Sequence, residues 1–226
     1  MYASLTQQKC CRLATLFLQT DRSPRISPTN FFYSHPEQAA STRGLYRITD
    51  NFFRFWFSFV FPNLSDLETG DAEGVFDHAV APELNDFASP VFETVCREFI
   101  RGKNRRGELP FRAAKLGRWW GKLTKTVAAD DGKSKPFSVD SEIDIVAVDS
   151  KSRHYILGEC KFRNSKVDIA DLEHLKEKSS IVKKGAAVEY ALFSKSGFTE
   201  GMIARAKEDE NVKLFSLPDI VAEHLS

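Results

Sequence analysis

The chain has 226 residues, 42% of them hydrophobic and 28% charged, which is enough for a sizeable core. This balance excludes a wholly disordered chain, a collagen-like repeat and a polytopic membrane protein. Lys and Arg number 32 against 31 Asp and Glu, a net charge of +1 that singles out no partner.

Taken in chain order, residues 1–44 carry a weak pattern: a short helix over Lys9 to Thr20, then a loop rich in Ser, Pro, Thr and Asn. Leu45 to Ile48 reads as a strand, and Thr49 or Asp50 then caps a helix that runs to about Phe61, where Pro62 and Asn63 stop it. Six of the 19 Phe lie between Phe52 and Phe61, together with Trp56. A helix apolar on nearly every side predicts cover, with one side on the following domain and the other on residues 1–44 or a second chain. The acidic stretch Ser65 to Glu73, with Gly70 and Gly74, reads as a linker. From Asp77 onward the pattern becomes regular. It predicts a helix over Phe87 to Ile100, a basic loop over RGKNRRGELP, a strand over Lys115 to Trp120 and a polar excursion over Val127 to Lys135. Strands over Ser141 to Val148 and His154 to Phe162 follow, then a helix (Val167 to Val182), a strand (Ala187 to Phe193), a helix (Thr199 to Lys207) and a last strand (Val212 to Ser216). The order αβββαβαβ implies an α/β fold with a mixed central sheet flanked by helices, preceded by the aromatic helix segment. The expected organisation is an N-terminal segment 1–44, an aromatic segment 45–63, an acidic linker 64–76 and an α/β domain 77–226.

The charged residues of two neighbouring strands carry the chemistry. In EIDIVAVD, alternation puts Ile143, Ile145 and Ala147 on one face and Asp144, Val146 and Val148 on the other. In HYILGECKF, Tyr155, Leu157, Glu159 and Lys161 share a face, and a hairpin centred near Lys151 sets Asp144 opposite roughly Gly158. Asp144, Glu159 and Lys161 thus converge. An Asp and a Glu held together repel each other and attract a hard divalent cation. A neighbouring Lys can orient a water and offset charge on phosphate oxygens, as metal-assisted phosphodiester hydrolysis requires. Taken singly, Asp and Glu-x-Lys at this gap also fit surface ion pairs. Glu93 on the preceding helix adds a fourth group.

The array of Glu93, Asp144, Glu159 and Lys161 over this element order resembles the PD-(D/E)xK, or restriction-endonuclease-like, nuclease superfamily. The words RITDNFFRFWFSFVFPN, FETVCREFI, KLGRWW, EIDIVAVD and GECKF resemble a DUF-type C-terminal region of archaeal and bacterial AAA-type ATPases, over about Leu45 to Ser226. The resemblance implies a restriction-endonuclease-like core and a magnesium-dependent nuclease, with manganese as a substitute, or a nuclease-derived DNA-binding module. Residues 45–63 then correspond to a winged-helix remnant. Asp144 and Glu159 hold the metal with help from the Cys160 carbonyl, Lys161 positions the attacking water, and Glu93 supports a second metal or that water. The sequence has no Gly-x-x-x-x-Gly-Lys-Ser/Thr phosphate loop, so the ATPase part is missing and a separate ATPase partner or self-association is the expectation. The alternative is a non-catalytic interaction module of such an ATPase system.

Charge is segregated along the chain. Leu64 to Glu93 has eight acidic residues and no Lys or Arg, whereas Arg97 to Lys125 has ten basic residues against two acidic ones. Lys103, Arg105, Arg106, Lys115 and Arg118 are the candidates for tracking a DNA backbone, against the plainer reading of a solvated loop. Cys10, Cys11, Cys96 and Cys160 lack zinc-knuckle spacing and read as free thiols of a cytoplasmic protein, with Cys160 in the core. Asp168 and Asp171 read as groups at a helix N-terminus. No stretch has the length or cleavage pattern of a membrane span or secretory signal.

Overall fold

The computed structural model describes residues 50–128 and 134–224. The expected helix over Lys9 to Thr20 and strand over Leu45 to Ile48 lie outside the described residues. The chain divides into two compact units near Leu84.

Residues 51–84 are mostly helical, with turns at 69–71 and 81–83. Asp50 caps α1 (Asn51–Phe55), its carboxylate accepting from the N–H groups of Phe52 (2.8 Å) and Phe53 (3.2 Å). The helix widens into a π turn (Trp56–Val60), and Pro62 tightens it into a 3₁₀ turn (Phe61–Asn63) without ending the helical path. The acidic stretch expected to be a linker instead forms α2 (Leu64–Glu68) and α3 (Ala72–Val75), with a π turn at Phe76–Val80. Asp71 caps α3 through the Gly74 N–H (2.9 Å), so one of the residues that suggested a loop is a helix start. Phe59 is buried, whereas Phe52, Phe53, Phe57 and Phe61 are each more than half exposed.

Residues 85–224 form three layers around a five-stranded sheet in the order β1–β5: β1 (Lys115–Ala128), β2 (Ser134–Val148), β3 (His154–Lys161), β4 (Ala187–Ser194) and β5 (Val212–Ser216). The β1–β2 and β2–β3 pairs are antiparallel, and β3–β4 and β4–β5 are parallel, which makes the sheet mixed. One face is covered by α4 (Leu84–Arg106) and α7 (Leu217–His224), whose Phe92, Cys96, Phe99, Ile100 and Ile220 meet Ile145, Ala147, Ile156 and Phe193. The other is covered by α5 (Ile169–Glu177) and α6 (Glu200–Glu208), whose Leu172, Leu175 and Met202 meet Val146, Val148, Leu157 and Leu192. Among the described residues no helix is long and apolar enough to cross a membrane.

Three elements depart from the expected pattern. The segment RGKNRRGELP is not all loop: α4 continues to Arg106 and stops at Gly107, whose φ of +74° is the left-handed conformation that closes a helix. Lys103, Arg105 and Arg106 stand in the last turn, where cations offset the carbonyl end of the helix dipole. Strands β1 and β2 are also far longer than expected, pairing from Lys115↔Val148 out to Ala128↔Ser134. Third, the strict alternation in β2 is broken. Gly117 pairs with Val146 but Trp119 pairs with Ile143, so Arg118 alone faces two residues, Asp144 and Ile145. This β-bulge turns Ile143 to the α5–α6 side with Val146 and Val148, leaving Ile145 and Ala147 on the α4 side. The expected grouping of Ile143 with Ile145 is therefore corrected.

Candidate active site

The bulge creates the site. The β2–β3 ladder ends at Ile145↔Gly158, one residue from the expected Asp144–Gly158 opposition. Beyond it the side chain of Asp144 replaces a backbone partner, Oδ2 accepting from the Cys160 N–H at 2.8 Å. Gly158 permits the close approach, since a Cβ there would stand 2.9 Å from Cβ of Ile145. On β3, Glu159 and Lys161 share a face as the two-residue period requires, and Lys161 Nζ lies 2.8 Å from Glu159 Oε1.

Two further cations stand nearby, one of them on Glu159 itself. Lys178, first residue of the 3₁₀ turn Lys178–Ile181 that follows α5, places its Nζ 2.8 Å from Glu159 Oε2. Arg97 of α4 reaches both Glu93 Oε2 (3.5 Å) and the backbone oxygen of Asp144 (3.3 Å), tying helix to strand. Arg118, opposite the bulge, pairs with Glu142.

The electrostatics follow from burial among like charges. Asp144 is only 7% exposed, and burial, with Glu159 and then Glu93 nearby, pushes its carboxyl up to about 7 against the pull of the Cys160 N–H and Lys178. Burial also works against the charge on Glu159, but Lys161 and Lys178 outweigh it and hold that carboxyl below its ordinary range. Lys161 is the mirror case: burial disfavours its ammonium, yet Glu159, Asp171 and Asp144 keep its affinity for the proton above the usual value. Arg118, partly buried, is held charged in the same way by Glu142, Glu93 and Asp144. Asp144 thus feels both Glu159 and Glu93, and Lys161 feels both Glu159 and Asp144.

Of the five basic residues expected on DNA, only Arg118 sits beside the carboxylates. Lys103 and Arg106 both bond Glu108 (3.0 and 2.5 Å) at the far end of α4, about 15–20 Å along the axis from Glu93. Arg105 is exposed on the same turn. Lys115 faces Val148, about 13 Å along the strand from Asp144. Sequence reasoning missed Arg97 and Lys178. Arg97 is one helical turn after Glu93, a spacing that does signal a shared face. Lys178 is nineteen residues from Glu159 and nothing local marks it. Asp168 caps α5 in a reciprocal box with Asp171, which also holds Arg163 (2.6 Å), so both acids have the helix role expected of them. Cys160 is buried beside Cys96, as its core assignment requires.

Among known proteins, the chain is 30% identical over 184 residues to the uncharacterized protein MJECL04 of Methanocaldococcus jannaschii, which covers 81% of this chain. The match spans only 36% of that relative's length. Two solved structures are similar over part of the chain. One is a repair endonuclease from Pyrococcus abyssi (17% identity, TM-score 0.31, 55% of this chain and 46% of that one). The other is AF1548, a protein of unknown function (12% identity, TM-score 0.34, 59% of this chain and 66% of that one). The family model for DUF234, archaea bacterial proteins of unknown function, matches residues 56–174, more than half of the 226, and the chain belongs to that family.

Proposed function

We propose that this chain carries a magnesium-dependent nuclease site that hydrolyses DNA phosphodiester bonds on a restriction-endonuclease-like core. One observation carries the reading: a buried Asp144 beside Glu159, its carboxyl raised to about 7 by burial and by neighbouring acids, next to a charged Lys161 on the same strand as Glu159. A hard cation would offset both the burial and the neighbouring acids that disfavour the ionised Asp144 carboxylate.

The donor set fits magnesium. Among the described residues no group of three or more His, Cys, Asp and Glu side chains is gathered to hold a metal. Magnesium needs no such cage, because it binds through one or two carboxylates and fills its other positions with water and phosphate oxygens. Asp144 and Glu159 would hold it; the Cys160 N–H fixes the Asp144 carboxylate in place. When bound, the ion would polarise the phosphate and make a coordinated water more acidic. Lys161, held protonated, would orient the attacking water and offset charge on the phosphate rather than remove a proton. Glu93, on the helix facing the strand, would accept a hydrogen bond from that water or hold a second ion. Arg118 and Arg97 would meet phosphates next to the scissile bond, with Lys103, Arg105, Arg106 and Lys115 farther along the backbone.

The test is incubation of the purified chain with supercoiled plasmid and magnesium or manganese beside a D144A control. Nicking by wild type and none by D144A is expected. Equal nicking by both would remove the catalytic assignment.

A second reading rests on the exposed Phe52, Phe53, Phe57 and Phe61: a non-catalytic interaction module whose partner, an ATPase or another copy of the chain, covers this aromatic row. Calorimetry that detects neither magnesium nor manganese binding favours this reading.

A further inference from the structure

Glu159 carries an ammonium on each oxygen, Lys161 Nζ on Oε1 and Lys178 Nζ on Oε2, both at 2.8 Å. The two lysines are anchored differently. Lys161 is two residues along β3, so the pleat itself holds it over Glu159. Lys178 comes from a separate element; its side chain is 20% exposed against 27% for Lys161, so the two differ in how the backbone anchors them and not in access to water.

A divalent cation on Glu159 would stand about 4 Å from an ammonium that stayed on Oε2. Even at the dielectric of bulk water, a double positive charge beside a single one at that separation weakens binding about thirtyfold. The two cations therefore compete for the same carboxylate. We propose that Lys178 is the resident counter-ion of the metal-free site: it neutralises Glu159 while no metal is bound, and a divalent cation enters only by displacing it. The motif lysine and this second lysine thus have opposite relations to the metal. Lys161 works beside the ion, and Lys178 sets the concentration at which the ion binds.

This proposal rests on the metal-dependent reading of the site, and the experiment separates the two. Manganese affinity is measured by calorimetry, without DNA, on wild type and on K178M, K178R and E159Q. Thermal melts confirm that each variant is folded. K178M is expected to bind manganese at least tenfold more tightly than wild type, K178R within about twofold of wild type, and E159Q not at all. A folded K178M that binds no more tightly than wild type overturns the role of Lys178 and leaves the metal site standing. No binding by wild type and K178M alike, or binding by E159Q equal to wild type, overturns the metal assignment at Glu159 and the proposal with it.

Discussion

Replacing Asp144 by Asn removes one charge from the most crowded point of the structure and leaves an oxygen to accept from the Cys160 N–H. The carboxyl is 7% exposed and is pushed from 3.8 to about 7, chiefly by burial and then by Glu159 and Glu93. Between those two pH values the folded chain keeps a proton that the unfolded chain has released, so wild-type stability falls as pH rises. The contribution is fully present below 3.8 and is lost as pH climbs through about 7. The slope for one such group is about 1.4 kcal/mol per pH unit. From pH 5 to pH 8, wild type should therefore lose about 2–3 kcal/mol relative to D144N, which has no such titration. For a chain of this length that is a melting difference of about 5–10 °C opening in favour of D144N. Urea unfolding of both proteins at pH 5, 6, 7 and 8, with a chelator to exclude metal, measures it. Stability curves that stay parallel across this range, or a gap that closes as pH rises, would refute the electrostatic account of the site.

Two structural predictions accompany this one. Gly158→Ala drives a methyl to within 2.9 Å of Ile145 Cβ, close also to the Ala191 backbone oxygen and the Phe193 ring. It should cost about 1–3 kcal/mol in urea unfolding, whereas an unchanged midpoint would mean that the strands separate freely there. Asp168→Ala removes the half of the α5 capping box in which the Asp168 carboxylate accepts from the Asp171 N–H, leaves the reverse bond to the Asp171 carboxylate, and should cost about 1 kcal/mol, read in the same assay.

The alternation of Tyr155, Leu157, Glu159 and Lys161 is a local property of β3, and it placed those residues on their observed face. The bulge at Asp144 and Ile145 is not local. It exists only in the pairing of β2 with β1, so a strand read by itself sends Ile143 to the wrong face. Lys178 escaped for a related reason: it meets Glu159 only because α5 packs on the sheet and its last turn tightens there. The acidic stretch after Phe61 was misread because Asp and Gly serve both turns and helix caps, and its composition does not say which. The last helix, α7, follows β5 without a connecting residue and hides in a short segment that begins Leu217–Pro218.

The long β1–β2 pair has a mechanical consequence. Strand β3 accompanies β2 only from Val148 to Ile145, so from Trp119 to Ala128 the two strands continue as a ribbon with no third strand beside it among the described residues. Nine residue steps make this arm about 30 Å long. Its root is the bulge itself, the point where Arg118 opposes Asp144. Twisting or tilting the arm therefore turns the backbone that carries Asp144, while Glu159, just past the end of the β2–β3 ladder, stays paired with Leu192 of β4 in the body of the sheet. A molecule gripping the arm would adjust the spacing of the two carboxylates from a distance, as the handle of a pair of tongs sets the gap between its jaws.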